Sequence, residues 1–268
     1  MQSDVIIIGG GFAGTAAAIT LARANRNVQL IDSGAPRNRF SEHSHGILGL
    51  DGVAPTELLE RGHAELQKFG GKISHDTVES LSRPSEQAPW QIRLTDDTLL
   101  ESRHALVATG LTDKLPEVPG LSDLWGTRLF HCPYCHGHEV KGKKVALIGG
   151  ANPPFTIRIS KLLSKWTSAL TFYPNGLELT GLDRTQLTGL GVEINDAKVT
   201  QVQPDQASPT GAKYTAPMEY TSTKHALLGP IFCPTMHCCG MPVANRPMAG
   251  SKQSVAKPQY RAYGQPAM

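Results

Sequence analysis

The sequence lacks the features that mark several broad classes of protein. No stretch approaches the roughly 20 consecutive apolar residues that a membrane-spanning helix needs, and this excludes a transmembrane protein. Lys and Arg number 26 against 23 Asp and Glu, so the net charge is only +3. A surplus this small gives no indication of a nucleic-acid partner.

The sequence also has little cysteine and no recognisable leader. Residues 1–4 run directly into Val5-Ile-Ile-Ile8 without a basic stretch, a long apolar segment or a small-residue cleavage site. We therefore expect a cytoplasmic protein. Two of the five cysteines form Cys132-Pro-Tyr-Cys135. In a reducing compartment, that spacing indicates redox chemistry or a metal site rather than a structural disulfide.

The sequence does contain a regular alternation of strands and helices. Its 268 residues, 40% of them hydrophobic, are enough for one large or two modest domains with a sizeable core. Apolar runs alternate with helical patterns over residues 1–206, which predicts βαβ units and a largely parallel sheet. Pro116 and Pro119 disfavour both helix and strand in the segment 115–120. We interpret this segment as an interdomain connection.

The predicted elements fall into two groups on either side of that connection. Before it we predict strands over 4–9, 28–32, 73–81 and 104–108, helices over 12–24 and 55–69, and a hairpin within 90–101. After it we predict strands over 144–149, 169–173 and 192–203 and helices over 154–165 and 182–189.

Residues 207–268 depart from this pattern. They hold 8 of the 19 prolines, 5 of the 6 methionines and 3 of the 5 cysteines, and Glu219 is their only acid. They show no sustained period of about 2 or 3.6 residues, and only 220–232 could supply a short element. We therefore predict two α/β domains followed by an irregular C-terminal tail.

A glycine-rich turn follows the first predicted strand. The run from Gly9 to Gly14 opens an Ala-rich helix, and Asp32 ends the next strand. In dinucleotide-binding turns the first glycine permits the tight turn, the second lets the backbone approach a pyrophosphate, and the third lets helix and strand pack closely. These roles fall on Gly9, Gly11 and Gly14, and Asp32 can accept hydrogen bonds from a ribose. The pattern predicts a site for an ADP moiety; the alternative is a glycine turn beside an incidental acid.

The loop after Asp32 carries Arg37-Asn38-Arg39 and the histidines His43 and His45. The arginines are close enough in sequence to reach the pyrophosphate or ribose of the same nucleotide, and they could equally be solvated surface charges. The histidines could serve a metal or proton transfer, although no further ligands stand in register for zinc. We interpret them as lining the path of the cofactor.

Cys132-Pro-Tyr-Cys135 is the chemical centre of the sequence. Two thiols at this spacing can close a small ring as a disulfide, and a helix start and nearby imidazoles would stabilise a thiolate. His131, His136 and His138 surround the pair. We expect redox chemistry here, with a metal site or two structural cysteines as alternatives.

A zinc site would need a second pair of ligands. The tail offers sulfur and imidazole groups at Cys233, His237, Cys238 and Cys239. These lie about 100 residues away from the first pair and form no matching Cys-x-x-Cys. A structural protein stabilised by zinc is therefore a weaker alternative.

Five segments together resemble the low-molecular-weight thioredoxin reductase-like flavoproteins, which are FAD-dependent pyridine nucleotide-disulfide oxidoreductases. The segments are Val5 to Gly14, Pro36-Arg-Asn-Arg39, His43-Ser-His45-Gly46, Ala108-Thr109-Gly110 and His131-Cys-Pro-Tyr-Cys-His136-Gly137. The branch with Cys-Pro-Tyr-Cys-His-Gly, which includes dithiol oxidases acting on natural-product disulfides, is the most similar. The resemblance covers about residues 3–205.

The resemblance implies two Rossmann-like three-layer domains, one of the FAD type and one of the NAD(P) type. The FAD-binding domain would span 1–113, and the inserted domain over 114–206 would carry the redox cysteines. The tail over 207–268 would return to the first domain. The residues implied for the cofactor are Gly9, Gly11, Ala13, Gly14, Asp32, Arg39, His45, Ala108, Thr109 and Gly110.

The resemblance also implies roles for the residues of the cysteine motif. Cys135 would face the flavin ring of FAD, Cys132 would attack the substrate, and His136 would shuttle protons. The implied substrate is a small-molecule dithiol or disulfide, or a thioredoxin-like protein. A homodimer is implied as well, and we expect neither a metal nor a nucleic-acid or membrane partner.

Two departures from the family pattern bear on the function. Ala151 and Pro154 replace glycines in the second glycine turn, and no Lys or Arg between Thr171 and Leu182 is available to meet the 2′-phosphate of NADPH. The late Gly-Asp segment that contacts FAD in the family is not found in the tail. We expect an FAD-dependent thiol–disulfide oxidoreductase that uses either O₂ or NADPH as its electron partner. The alternative is a non-catalytic relative that has lost the segment holding FAD.

Overall fold

The computed structural model describes residues 2–150 and 153–204 and the backbone of four short strands farther along the chain. The rest of the predicted tail lies outside the described residues. Two sheets dominated by parallel pairs carry helices against their faces. The predicted α/β class is therefore confirmed.

The first group of elements builds a six-stranded sheet. It contains β1 (Ser3–Ile8), α1 (Phe12–Arg23), β2 (Val28–Asp32), α2 (Pro55–Lys68), β3 (Lys72–His75), β4 (Val78–Ser82), β5 (Trp90–Leu94) and β6 (Leu99–Val107). The strand order is β3-β2-β1-β6-β5-β4. β1 lies parallel to β2 and β6, and β2 lies parallel to β3. β5 lies antiparallel to β4 and β6.

Two predictions are corrected in this sheet. The strand predicted over 73–81 is really two strands, β3 and β4, at opposite edges of the sheet. Residues 76–77 between them lie outside any strand, and there the Asp76 carboxylate accepts the Thr77 N–H at 2.6 Å. The second strand of the predicted hairpin and the strand predicted over 104–108 are one continuous strand, β6. It pairs first with β5 and then with β1. A change of pairing partner leaves the extended backbone unbroken, so no turn signal was present to read.

The second group of elements builds a parallel sheet. After β6 the chain forms β7 (Leu111–Thr112), β8 (Leu129–Phe130), α3 (Pro133–His136), β9 (Val145–Ile148), α4 (Pro153–Leu163), β10 (Leu170–Tyr173), α5 (Gly181–Gly189), β11 (Glu193–Ile194), β12 (Gln201–Pro204), β13 (Ala212–Thr215), β14 (Leu227–Leu228), β15 (Ile231–Phe232) and β16 (His237–Cys238). The second sheet has the order β11-β10-β9-β15-β8.

The remaining strands form small antiparallel groups. The strand predicted over 192–203 is divided into β11 and β12, because Asn195 Oδ1 accepts the Ala197 N–H at 3.0 Å and turns the chain out of the sheet. β12, β13 and β14 form a three-stranded sheet, and β16 pairs with β7. As predicted, the segment 115–120 contains neither helix nor strand.

Both sheets have buried residues on both faces. Because β3, β2, β1 and β6 run parallel, their carboxyl ends lie at one edge of the first sheet. In β1, Ile7 packs with α1 and α2 residues, while Ile6 packs on the opposite face with β4 and β5 residues. In β9, Leu147 and Ile148 divide in the same way between two core clusters. This alternation gives each unit its layered core.

Candidate functional site

The glycine turn after β1 leaves an open space in front of α1. Gly9 has a φ of +109°, and a Cβ on it would overlap the Ala108 carbonyl. A Cβ on Gly14 would overlap the carbonyl oxygen of Gly9. By contrast, in the described part of the chain no atom beyond Gly11 and its two chain neighbours lies within 4 Å of the position that a Gly11 Cβ would take. The first and third glycines are therefore required by the protein's own backbone, whereas Gly11 borders free space at a helix N-terminus suited to phosphate.

Asp32 closes one side of this space. Its side chain lies at the end of β2 and is mostly buried, and Oδ1 accepts the Gly34 N–H at 3.0 Å. A Cβ on Gly10 would overlap the Asp32 carboxyl group. Gly10 was missed in the sequence because dinucleotide-binding turns do not require glycine there. The structure shows that it must clear the carboxylate.

The chain after β6 completes the same edge of the sheet. The Ala108 N–H donates to the Ile8 carbonyl at 2.8 Å, so Ala108 lies beside the glycine turn. Thr109 follows it, and Gly110 has a φ of +70°. Ala13 is exposed in the first turn of α1. The predicted residues on β1, β2 and β6 are thus brought together.

Arg39 and His45 lie in the loop after β2. Arg39 donates to the Pro36 carbonyl at 3.0 Å, and its guanidinium lies 4.1 Å from the centroid of the Phe40 ring. His45 Nδ1 lies 3.1 Å from Asp51 Oδ1, and its Nε2 lies 3.8 Å from Glu139 Oε1. His45 therefore reaches the segment that follows the cysteine pair.

The sulfur atoms of the two cysteines lie close together. Cys132 precedes α3 and Cys135 lies within it, and their Sγ atoms are 2.9 Å apart as free thiols. Cys132 is half-buried and Cys135 is exposed. The hydrogen bond from Cys135 lowers the pKa of Cys132 to about 6. The same bond, together with burial, raises the pKa of Cys135. Cys132 is therefore the more acidic thiol of the pair.

The neighbouring imidazoles are held neutral. Burial lowers the pKa of His131 to about 4, and the ring packs at 5.7 Å from that of Trp125. Burial also lowers the pKa of His136, which stacks on Phe130 with ring centroids 4.2 Å apart. Within the described ranges, His136 Nδ1 is buried without a hydrogen-bond partner. At neutral pH these two imidazoles therefore carry no positive charge that could favour the thiolate.

Other predicted groups give no further site in the described part of the chain. No group of three or more His, Cys, Asp or Glu side chains there is arranged to hold a metal ion. The side chains of the tail cysteines, and Ala151 in the second glycine turn, lie outside the described residues. None of the helices described is both long and apolar enough to cross a bilayer.

Comparison with known proteins identifies the family. The profile of the pyridine nucleotide-disulphide oxidoreductase family matches residues 3–152, more than half of the chain. The chain belongs to this family. It is 31% identical over 181 residues to thioredoxin reductase tcpT of Claviceps purpurea, and 33% identical over 183 residues to thioredoxin reductase aclD of Aspergillus oryzae. These matches cover 65% of this chain but 56% and 57% of the relatives, so the chain spans little more than half of their length.

Solved structures agree with this assignment. HlmI matches with a TM-score of 0.78 and 35% identity, over 87% of this chain and 72% of HlmI. An oxidoreductase from Agrobacterium tumefaciens matches with a TM-score of 0.76 and 32% identity, over 87% of this chain and 75% of that protein. The chain is thus a thioredoxin reductase-like member of the family with Rossmann-type architecture.

Family membership implies FAD as the cofactor, and NADPH is also typical of the family. The residues present fit an FAD. The open space at Gly11 lies at the N-terminus of α1, and the Asp32 carboxyl group lies against the preceding residue, Gly10. A dinucleotide needs this combination of close backbone approach and an acceptor for ribose hydroxyls.

Proposed function

We propose that this protein is an FAD-dependent thiol–disulfide oxidoreductase in which Cys132 and Cys135 exchange electrons with a dithiol or disulfide substrate. The observation that carries the proposal is the 2.9 Å separation of the two sulfur atoms, with Cys132 as the more acidic thiol. The bound FAD would supply the two-electron chemistry that connects this pair to a second electron partner.

Cys132 would attack one sulfur of a substrate disulfide. A mixed disulfide forms between Cys132 and that sulfur, and the other substrate sulfur leaves as a thiolate. Deprotonated Cys135 then attacks Cys132 Sγ and releases the second substrate sulfur, so that the substrate gains two electrons and the cysteines become a disulfide. With a dithiol substrate the same exchanges run in reverse.

His136 is the residue that we propose for moving protons during these exchanges. Its ring lies one residue from Cys135 and is neutral at pH 7, so one nitrogen can accept a proton. The Glu139 carboxylate favours its protonated form, and His45 opposes it. A neutral imidazole can take the proton from Cys135 and return it to a departing thiolate.

We further propose that residues 1–113 hold the FAD and residues 114–206 carry the redox pair. The strand ends of the first sheet and the loop after β2 would supply the cofactor residues, and α3 with the residue before it would supply the cysteines. The proposed partners are a small disulfide or a thioredoxin-like protein, since curated relatives are named thioredoxin reductases. A homodimer and a cytoplasmic location remain predictions.

The test is an anaerobic titration of the FAD-loaded protein with a small dithiol such as dithiothreitol. Wild-type protein should lose its flavin absorption in the visible range as the dithiol reduces the cysteines and then the flavin. Cys132→Ser and Cys135→Ser should each abolish this bleaching, while Cys233→Ser serves as a matched substitution outside the pair. Bleaching that survives in the Cys132→Ser protein would refute the proposal. A protein that never binds added FAD would favour the non-catalytic alternative.

The electron partner is tested on the same protein. Oxygen uptake in the presence of the dithiol would assign a dithiol oxidase, and NADPH consumption with a disulfide would assign a reductase. We propose the oxidase, because the sequence offers no cation between Thr171 and Leu182 for the 2′-phosphate of NADPH. Rapid NADPH consumption would overturn that choice.

A further inference from the structure

The loop after β2 contacts the chain on both sides of the cysteine motif. Before the motif, Phe40 packs against Gly126: a Cβ added to Gly126 would overlap the Phe40 Cβ and would lie 2.8 Å from the Phe40 carbonyl oxygen. After the motif, His45 Nε2 lies 3.8 Å from Glu139 Oε1. The redox pair is therefore part of a segment that the 37–45 loop touches at both ends.

The 37–45 loop is itself fixed by contacts along its length. At its start, Arg37 donates from Nε to Asp113 Oδ2 at 2.7 Å and from Nη2 to Asp113 Oδ1 at 2.6 Å, and the Asp113 side chain is only 6% exposed. A two-pronged contact of this kind fixes both the plane and the position of a guanidinium. Farther along, His43 Nδ1 lies 3.1 Å from the Gly52 carbonyl oxygen. The loop therefore meets the cysteine segment as a well-anchored piece of backbone.

The contact at Gly126 is connected to the first cysteine through a short, packed stretch of chain. The Gly126 N–H donates to the Leu129 carbonyl at 3.0 Å, which closes a turn directly before β8. The ring of Trp125 in this turn packs at 5.7 Å from the ring of His131. Cys132 is the next residue. A shift of this turn would therefore move the start of the cysteine motif with it.

The same loop carries Arg39 and His45, two of the residues predicted to contact FAD. We propose that the 37–45 loop holds the cysteine pair at a fixed position relative to the flavin, and that the close contact between Phe40 and Gly126 sets that position. The proposal rests on the proposed function, in which the two thiols become a disulfide and pass two electrons and two protons to FAD. Reacting atoms must lie about 3–3.5 Å apart, and a misplacement of about 1 Å can slow a reaction by about 100-fold. Phe40 and Gly126 act through the cysteine motif and are positioning residues.

Hydrogen–deuterium exchange of the full chain without cofactor tests the contact itself. In Gly126→Ala the new methyl group pushes against Phe40, so peptides covering 37–45 should exchange about threefold faster or more. Gly142→Ala is the matched control. The two glycines have similar positive φ values, +77° and +73°, so alanine strains the backbone equally at both. In the described part of the chain, no atom beyond the two chain neighbours lies within 4 Å of the position that a Gly142 Cβ would take, so exchange in the loop should stay at the wild-type rate.

A second variant loosens the loop from its other side. Asp113→Ala removes the anchor of Arg37 without adding any atom, and it should also speed exchange over 37–45 by about threefold or more. Its control is Asp196→Ala, because Asp196 forms a similar two-pronged pair with Arg184, at 2.7 and 3.0 Å, on an exposed surface at α5. That substitution should leave exchange in the loop unchanged. Far-UV circular dichroism verifies that each variant is folded.

Rapid mixing of the oxidised, FAD-loaded protein with dithiothreitol under anaerobic conditions tests the consequence for the flavin. Two rates are compared: the bleaching of the flavin, and the appearance of the thiols of Cys132 and Cys135, trapped with iodoacetamide and quantified by mass spectrometry. In Gly126→Ala, bleaching should slow by about tenfold or more while the thiols appear at the wild-type rate. A substitution that damaged the cysteine pair itself would slow both rates together.

Two results would overturn the proposal. One is wild-type exchange over 37–45 in Gly126→Ala, or in Asp113→Ala if the first variant does not fold. The other is a loosened loop with the ratio of the two rates unchanged, since the pair would then reach the flavin without the contact. Failure of the proposed function has a different signature, because the wild-type flavin would stay coloured after the thiols appear. That outcome would also refute the flavin part of this proposal, while the exchange rates would still decide whether the loop holds the motif.

Discussion

Alanine substitutions at Gly14 and Gly11 should separate the folding role of the glycine turn from its cofactor role. At Gly14 the new Cβ would overlap the carbonyl oxygen of Gly9, a backbone atom between a core strand and α1. Overpacking of this kind costs about 1–3 kcal/mol or more. Because each kcal/mol lowers the Tm of a protein of this size by about 2–4 °C, Gly14→Ala should melt about 2–12 °C below the wild type.

Gly11→Ala should behave in the opposite way. Among the described residues, none beyond the two chain neighbours lies within 4 Å of the new methyl group, and the Gly11 backbone has φ −67° and ψ −178°, which any residue can adopt. The protein without cofactor should therefore stay within about 1 kcal/mol of wild-type stability. A Cβ there would occupy the space that a pyrophosphate needs, so the Kd for FAD should rise by about tenfold or more, equivalent to about 1.4 kcal/mol.

The assay uses thermal melts of each protein without cofactor, followed by titration with FAD monitored by quenching of flavin fluorescence. Gly11→Ala and Gly14→Ala form a matched pair, since each adds a single methyl group to the same turn. Wild-type affinity for FAD in Gly11→Ala would show that the open space is not the pyrophosphate site. Wild-type stability in Gly14→Ala would show that the overlap with Gly9 is relieved by movement of the turn.

Two further predictions concern titration and cofactor binding. The pKa of His131 is about 4 in the folded protein, against an ordinary 6.5. Between these pH values the unfolded chain binds a proton that the folded protein does not bind. The free energy of unfolding should therefore fall as the pH drops from about 6.5 to about 4. The loss is at most about 3 kcal/mol and is reduced by the partial exposure of the ring. In urea unfolding, the free energy of unfolding of His131→Gln should depend less steeply on pH than that of the wild type. An equally steep dependence in the two proteins would contradict this account. Asp32→Asn keeps an oxygen for the Gly34 N–H but loses the charged acceptor for ribose. The Kd for FAD should therefore rise by about tenfold or more. An unaltered Kd in the same fluorescence titration would show that Asp32 does not contact the nucleotide.

The sequence alone was sufficient for the local features that depend on near neighbours in the chain. The strand, the glycine run and the helix after it could be predicted, because Gly9 and Gly14 meet constraints set within one βα turn. The spacing of Cys132 and Cys135 likewise fixed the possibility of a disulfide, because one helical turn brings the two sulfurs together. Element boundaries failed where a strand changed partners, as in β6.

The tertiary structure decided the features that depend on contacts between distant segments. Gly10 is constrained by Asp32, a residue on the next strand, because a Cβ on Gly10 would overlap the Asp32 side chain. No pattern in the local sequence predicts that overlap. The charge state of His131 and His136 beside the cysteines depends on how deeply the two rings are buried. Burial and long-range ion pairing are properties of the packed chain. The sequence could therefore identify the reactive sulfurs, while only the fold could show that the imidazoles beside them are buried and neutral.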